Sequence, residues 1–149
     1  MDAIDRKILA RLQEDSSSPV ADLAEHAGCS RTACWRRIKS MEETGIIRRQ
    51  VALLDREKLD LSVTVFVAIK TSRHDVGWLQ KFADTVERFP EITELYRMSG
   101  DIDYLLKVVV PDVAAYDRFY QRLIQRIDLS DVSSNFAMEE IKFTTALPL

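Results

Sequence analysis

Glycine and proline are scarce, four of each in 149 residues, which excludes collagen-like and low-complexity disordered chains. Long apolar runs are missing too. The most apolar stretch, VTVFVAI at 63–69, is bounded by Ser62 and Lys70, and a membrane-spanning helix needs about 18 or more such residues. The N-terminal MDAIDRKILARL carries charges among its apolar positions and no small-residue cleavage site, so no secretory signal is read. A cytoplasmic protein with no membrane partner is expected. The two cysteines, Cys29 and Cys34, lie five apart; without the two-residue spacing of zinc or redox pairs, neither a disulfide scaffold nor a structural zinc site is expected. Histidine is limited to His26, in the second helical pattern, and His74, in a loop, and neither has the spacing of a catalytic triad or a metal site. No GxGxxG or P-loop sequence occurs, and Asp101 and Asp103 lack a third partner for a Mg²⁺ site. Catalysis, a bound metal and a cofactor are therefore not expected.

What is present is globular: 46% hydrophobic and 30% charged residues, enough for one domain or two small ones. The net charge of −3 does not by itself suggest a nucleic-acid binder. Its distribution does more. Residues 1–52 are net +1 and residues 53–149 net −4, and within 31–49 six basic residues face only Glu42 and Glu43. Such a patch is either a solvated helix face or a nucleic-acid surface, since phosphate attraction acts over only about 8–10 Å at physiological salt.

The first 50 residues read as three short helices. Asp2 caps the first, where Ile4, Ile8, Leu9 and Leu12 form one stripe that ends at Ser16–Ser18. Pro19 suits the first turn of the second, Val20, Leu23, Ala24 and Ala27 supply its buried face, and Gly28 stops it. Ser30 caps the third, which carries Cys34, Ile38 and Met41 and ends at Gly45. The short gap between the second and third is the spacing of a helix-turn-helix. Ile46–Leu54 interleaves apolar residues with Arg48, Arg49 and Gln50 and reads as a short strand or wing. Polar DREKLD (55–60) makes a hinge.

Beyond it, 63–70 alternates as a β-branched strand covered on both faces near its middle, and Asp75–Phe89 reads as a helix. Ile92–Met98 and Tyr104–Val110 read as a hairpin around Ser99-Gly100-Asp101, Asp112 caps a helix through Arg126, and a last strand runs from Val132 through Phe136 and Met138 towards Phe143. The fold class is α+β: a winged helix-turn-helix at 1–52, a linker at 53–60 and a ferredoxin-like βαββαβ domain at 61–149.

At about 100° per residue, Thr32, Arg36, Lys39 and Ser40 point away from the buried stripe of the third helix. Arginine and lysine can donate to guanine or phosphate, and Thr and Ser to either. Ser30 and Arg31 sit at the positive N-terminal end of that helix. Trp35, on the flank, either packs against the wing or first helix or touches a thymine methyl or sugar. Arg48 and Arg49 fit DNA backbone contacts or are plain solvated charges. The candidate DNA set is thus Ser30, Arg31, Thr32, Trp35, Arg36, Lys39, Ser40, Arg48 and Arg49, with double-stranded DNA as partner. A second reading, kept open by Glu42 and Glu43, is a small-molecule-binding or protein-interaction module that does not meet DNA. At the hairpin, Gly100 permits φ > 0 and brings Asp101, Asp103 and several loop N–H groups together. That offers an acceptor for an α-ammonium and donors for a carboxylate, or merely caps the turn.

LAEHAGCSRTACWRRIKSMEETGIIRR (23–49), followed at this distance by MSGDIDYLLKVVVPD (98–112), resembles the Lrp/AsnC (leucine-responsive regulator) transcription factors of bacteria and archaea, over essentially the whole chain. The resemblance implies a ligand-sensing second domain, homodimers paired through it, often octamers of four dimers, and amino-acid effectors. It places the effector between dimers, against Met98, Ser99, Gly100, Asp101, Asp103 and Tyr104, with Ser133, Ser134 and Asn135 facing it from a neighbouring subunit. VALLDREKLDL, FVAIKTSRH, YRMSGDIDY and NFAMEEIKFTTALP are most similar to a proteobacterial branch that includes cysteine-responsive regulators. The effector so implied is a small amino acid such as cysteine, leucine or methionine. Cys34, on the buried stripe, and Cys29, in the turn, read as structural.

Overall fold

In the computed structural model, which describes residues 1–72 and 75–149, the chain opens with helix α1, Ala3–Glu14. His74 lies outside the described residues. The start of α1 is a reciprocal box: the Asp2 carboxylate accepts from the Asp5 N–H at 2.9 Å, and that of Asp5 from the Asp2 N–H at 2.8 Å. Helix α2, Val20–Ala27, begins one residue later than the sequence suggests, with Pro19 at the cap position. Gly28 ends α2 at φ +72°, and the next N–H, of Cys29, turns back to the Ala24 carbonyl oxygen at 3.0 Å. A side chain at this left-handed position would clash with its own backbone, so glycine sets the bend of the helix-turn-helix. Helix α3, Arg31–Glu43, follows at once, its first turn capped by the Ser30 hydroxyl. Ile8, Leu23, Ala24, Ala27, Cys34 and Met41 are buried together between the three helices.

Arg37, on the flank of α3, bonds to Asp2 at 2.8 Å and to Asp5 at 2.7 Å, tying α3 to the first turn of α1. The Asp5 N–H first, and Arg37 next, hold the Asp2 carboxyl below the usual carboxylate range. Because the folded value lies below the unfolded one, this stabilisation is complete above about pH 4 and is lost as pH falls through the folded value. Asp2→Asn keeps an acceptor for the cap but cannot titrate. Denaturation midpoints at pH 3 and pH 6, read by helical circular dichroism, are therefore expected to differ less for Asp2→Asn than for the parent. An equal difference would reject the assignment.

The expected wing strand does not form. Residues 46–54 adopt neither helix nor strand, because among the described residues no strand lies alongside to take their N–H and C=O groups. A single 3₁₀ turn, Glu57–Leu59, follows and is closed by Asp60 at φ +57°. The chain divides into two compact units, Met1–Leu53 with Ile141–Leu149, and Leu54–Glu140.

In the second unit, β1 (Val63–Lys70), α4 (Val76–Val86), β2 (Ile92–Arg97), β3 (Tyr104–Val110), α5 (Val113–Ile124) and β4 (Asp131–Phe136) give the ferredoxin-like βαββαβ order. The sheet is antiparallel in the order β2-β3-β1-β4. Asp75 caps α4 and Asp112 caps α5, each carboxylate accepting from the N–H three residues on. Val65, Val67 and Ile69 of β1, Leu106 and Val108 of β3, Phe82 of α4 and Phe119 and Leu123 of α5 make a core with no solvent exposure. β1 is not covered on both faces as its composition suggests: both helices pack on one side, and Phe66 on the other is 38% exposed. β4 also stops short of the expected Phe143. Its register ends at Val65↔Phe136, one more N–H, of Ala137, reaches the Thr64 carbonyl oxygen, and β1 then offers no further partner.

Candidate DNA interface and effector turn

The polarity of α3 is divided by its own packing. Cys34 and Met41 are buried and Ile38 half-buried, which leaves Arg31, Thr32, Trp35, Arg36, Lys39 and Ser40 exposed. Burial pushes the Cys34 thiol up, away from ionisation, and so away from nucleophilic or metal-binding use. Of the basic residues, Arg37 is committed to Asp2 and Asp5. Lys39 pairs with Glu42 at 3.1 Å in a solvent-exposed contact, of a kind that contributes about 0.3–0.5 kcal/mol and yields readily to a phosphate. Arg31, Arg36, Arg48 and Arg49 are exposed and have no ion pair among the described residues. Ser30 spends its hydroxyl on the Ala33 N–H at 3.2 Å. Trp35 is 53% exposed. Glu42, one of the two carboxylates weighing against DNA, is the partner of Lys39.

The hairpin turn is built around Asp103 rather than merely flanked by it. Asp103 gives its carbonyl oxygen to the Met98 N–H at 2.8 Å, its own N–H to the Ile69 carbonyl oxygen at 2.9 Å, and its carboxylate to the Thr71 N–H at 2.8 Å. One residue thus lashes the β2–β3 turn to the end of β1. Gly100 sits at φ +118°, outside the range of ordinary side chains. Met98, Ser99 and Asp101 are exposed beside it, and Asp101 has no hydrogen bond or ion pair among the described residues. Tyr104 turns the other way: it is buried against Phe82 and Trp78, with ring centroids 4.9 and 5.8 Å apart.

On β4 the side chains alternate. Ser134 hydrogen-bonds the Tyr116 hydroxyl on the helix side, while Ser133 and Asn135 are exposed on the open face of the sheet. Burial holds the Tyr116 phenol above its ordinary range. Because β1 separates β3 from β4, the turn and the last-strand group stand about 10 Å apart across the sheet. One chain does not bring them together.

Residues 1–42 match the AsnC-type helix-turn-helix domain and residues 64–147 the Lrp/AsnC ligand binding domain. The chain belongs to the Lrp/AsnC family. Among its relatives is the DNA-binding transcriptional activator DecR of Escherichia coli, 47% identical over all of this chain and 99% of its own. An AsnC family transcriptional regulator from Agrobacterium tumefaciens is 62% identical and superposes with a TM-score of 0.96, covering 99% of this chain and 97% of that one. A regulator from Neisseria meningitidis, solved as a complex with L-Met, is 34% identical with a TM-score of 0.94, over 99% and 96% of the two chains. The Lrp/AsnC assignment makes this chain a DNA-binding transcriptional regulator that responds to an amino-acid effector. Its relatives are transcription regulators rather than enzymes. Among the described residues no helix is long and apolar enough to cross a membrane.

Proposed function

We propose that the chain reads double-stranded DNA through α3, with Thr32, Arg36, Lys39 and Ser40 towards the major groove and Ser30, Arg31, Arg48 and Arg49 towards the phosphates. Trp35 supplies the apolar contact at the edge of that surface. The single observation that carries this reading is the outward face of α3, where hydroxyls and unpaired cations are presented together while every apolar residue but Trp35 is turned inward. A good bidentate base contact contributes about 1–3 kcal/mol of discrimination. A phosphate contact contributes equally on every sequence and adds about 0.9 to the salt slope. Arg36→Ala combined with Lys39→Ala is therefore expected to lower affinity for a selected operator and flatten its salt dependence. Fluorescence anisotropy at several salt concentrations checks this, and unchanged affinity throughout would reject the interface.

The effector is a small amino acid, of which cysteine, leucine and methionine are the first to test. Asp101 takes its ammonium, Gly100 lets the backbone approach, and the turn N–H groups that follow Met98 take its carboxylate. Ser133 and Asn135 complete the pocket from a neighbouring subunit, and the separation of these two groups across the sheet supports that division. Tyr104 and Ser134 belong to the wall behind the pocket, through their neighbours Phe82 and Tyr116. The open face of the sheet, with Phe66 and Tyr96 exposed on it, supports a homodimer, and the pocket between dimers supports an octamer of four dimers. The protein acts in the cytoplasm, where DNA and free amino acids meet, with a helix-turn-helix domain at 1–52, a linker at 53–60 and a sensing domain at 61–149.

A further inference from the structure

The first helix and the last residues of the chain are clamped together. The Gln13 amide donates from Nε2 to the Leu147 carbonyl oxygen and accepts at Oε1 from the Leu147 N–H, both at 2.8 Å. A side-chain amide that offers one donor and one acceptor side by side stands in for the neighbouring strand an extended residue would pair with. The clamp closes a loop of 134 positions, and Ile141–Leu149 accordingly belongs with Met1–Leu53 rather than with the sheet it leaves.

Leu147 and Leu149 form one wall of a groove of about 680 Å³, facing Leu9 and Leu12 of α1 and the segment from Ile46 to Leu53. That segment is poorly held. Its only backbone hydrogen bond among the described residues joins the Ile47 N–H to the Met41 carbonyl oxygen, yet it carries Arg48 and Arg49. We propose that the C-terminal segment is a strap, clamped by Gln13, that confines residues 46–53 against α1 and so positions Arg48 and Arg49 for DNA phosphates. Gln13 is a positioning residue in this scheme and touches no DNA. The strap is docked rather than buried, since Leu147 is 69% exposed and Leu149 46%, so its removal has a moderate effect on affinity and not an absolute one. The proposal rests on the reading that Arg48 and Arg49 contact DNA.

The test uses the full chain, Gln13→Ala, a truncation after Thr144, and Arg48→Ala combined with Arg49→Ala. Each is assayed for DNA affinity at several salt concentrations, and the first three for the rate of tryptic cleavage after Arg48 and Arg49. Gln13 lies at the edge of α1 outside the core, so Gln13→Ala keeps the test independent of any loss of folding in the truncation. Both strap variants are expected to bind DNA five- to tenfold more weakly, with a salt slope shallower by about 1 to 2, and to be cut several-fold faster. Parent-like affinity and slope in both strap variants, or weaker binding without faster cleavage, would overturn the proposal. If the double arginine variant binds as the parent does, the phosphate reading of these arginines fails and the strap's role in DNA binding fails with it. If that variant is impaired and the strap variants are not, the strap alone is rejected.

Discussion

Asp101→Ala is expected to abolish amino-acid binding while leaving DNA affinity without effector near that of the parent. In the proposed pocket Asp101 would be the partner of a desolvated α-ammonium, and removing one partner of a buried charge pair costs about 2 to 5 kcal/mol, much of it from the charge left unpaired. DNA affinity is spared because the turn lies in the second compact unit and α3 in the first. A ligand shifts an assembly only by its differential affinity for the two states, so the variant is expected to remain locked in the effector-free state. Calorimetric titration of parent and variant with cysteine, leucine and methionine decides the point, and equal heats from both would reject the pocket. Asp103 behaves differently, since its carboxylate already holds the Thr71 N–H at 2.8 Å. Asp103→Asn keeps that acceptor and is expected to bind effector, whereas Asp103→Ala loosens the turn from β1.

The largest effect on stability is expected at Phe119. Its ring has no solvent exposure, meets Phe89 edge-on at 5.4 Å between centroids and lies 5.8 Å from Tyr116. Truncating a buried phenylalanine removes the transfer free energy of the ring and leaves a cavity that the neighbours only partly fill, a cost of about 3–5 kcal/mol. That is comparable with the whole stability of many domains. Phe119→Ala is expected to melt the sensing unit well below the parent's transition. The helix-turn-helix unit, with a separate core around Ile8, Leu23 and Cys34, is expected to keep its helical signal. Phe119→Leu, which leaves a smaller void, should fall between the two. A single transition at the parent's temperature in Phe119→Ala would show that the ring is not the keystone its burial implies.

Much of the architecture is carried by local chemistry that is readable in order along the chain. Asp2, Ser30 and Asp112 each cap the helix expected of them, because a short acceptor before an apolar stripe can satisfy a first-turn N–H without help from distant residues. The apolar periods of α1, α2 and α3 mark faces that are buried or half-buried, and Gly28 and Gly100 stand at positive φ. The end of the last strand has no such local mark, since Met138, Ile141 and Phe143 continue an apolar pattern in which nothing shows where the partner strand ends. Residues 46–54 form no strand for the same reason, as alternation describes a strand's faces and says nothing of the neighbour it needs.

At the two candidate sites, sequence alone determined which residue types are available and the face or turn on which each would lie. Tertiary structure decided which of them are free to act. Arg37 belongs to the same basic run as Arg36, yet it is spent on Asp2 and Asp5, more than thirty positions away. Asp103 is spent on Thr71 and Tyr104 on the aromatic core, while Asp101 is left open. The clamp between Gln13 and Leu147 has no periodic signal at all. The physical reason is common to these cases: capping, periodicity and turn chemistry act over a few residues and leave a local pattern. Hydrogen bonds and ion pairs between distant segments depend on where the fold delivers each partner, and a one-dimensional order does not contain that distance.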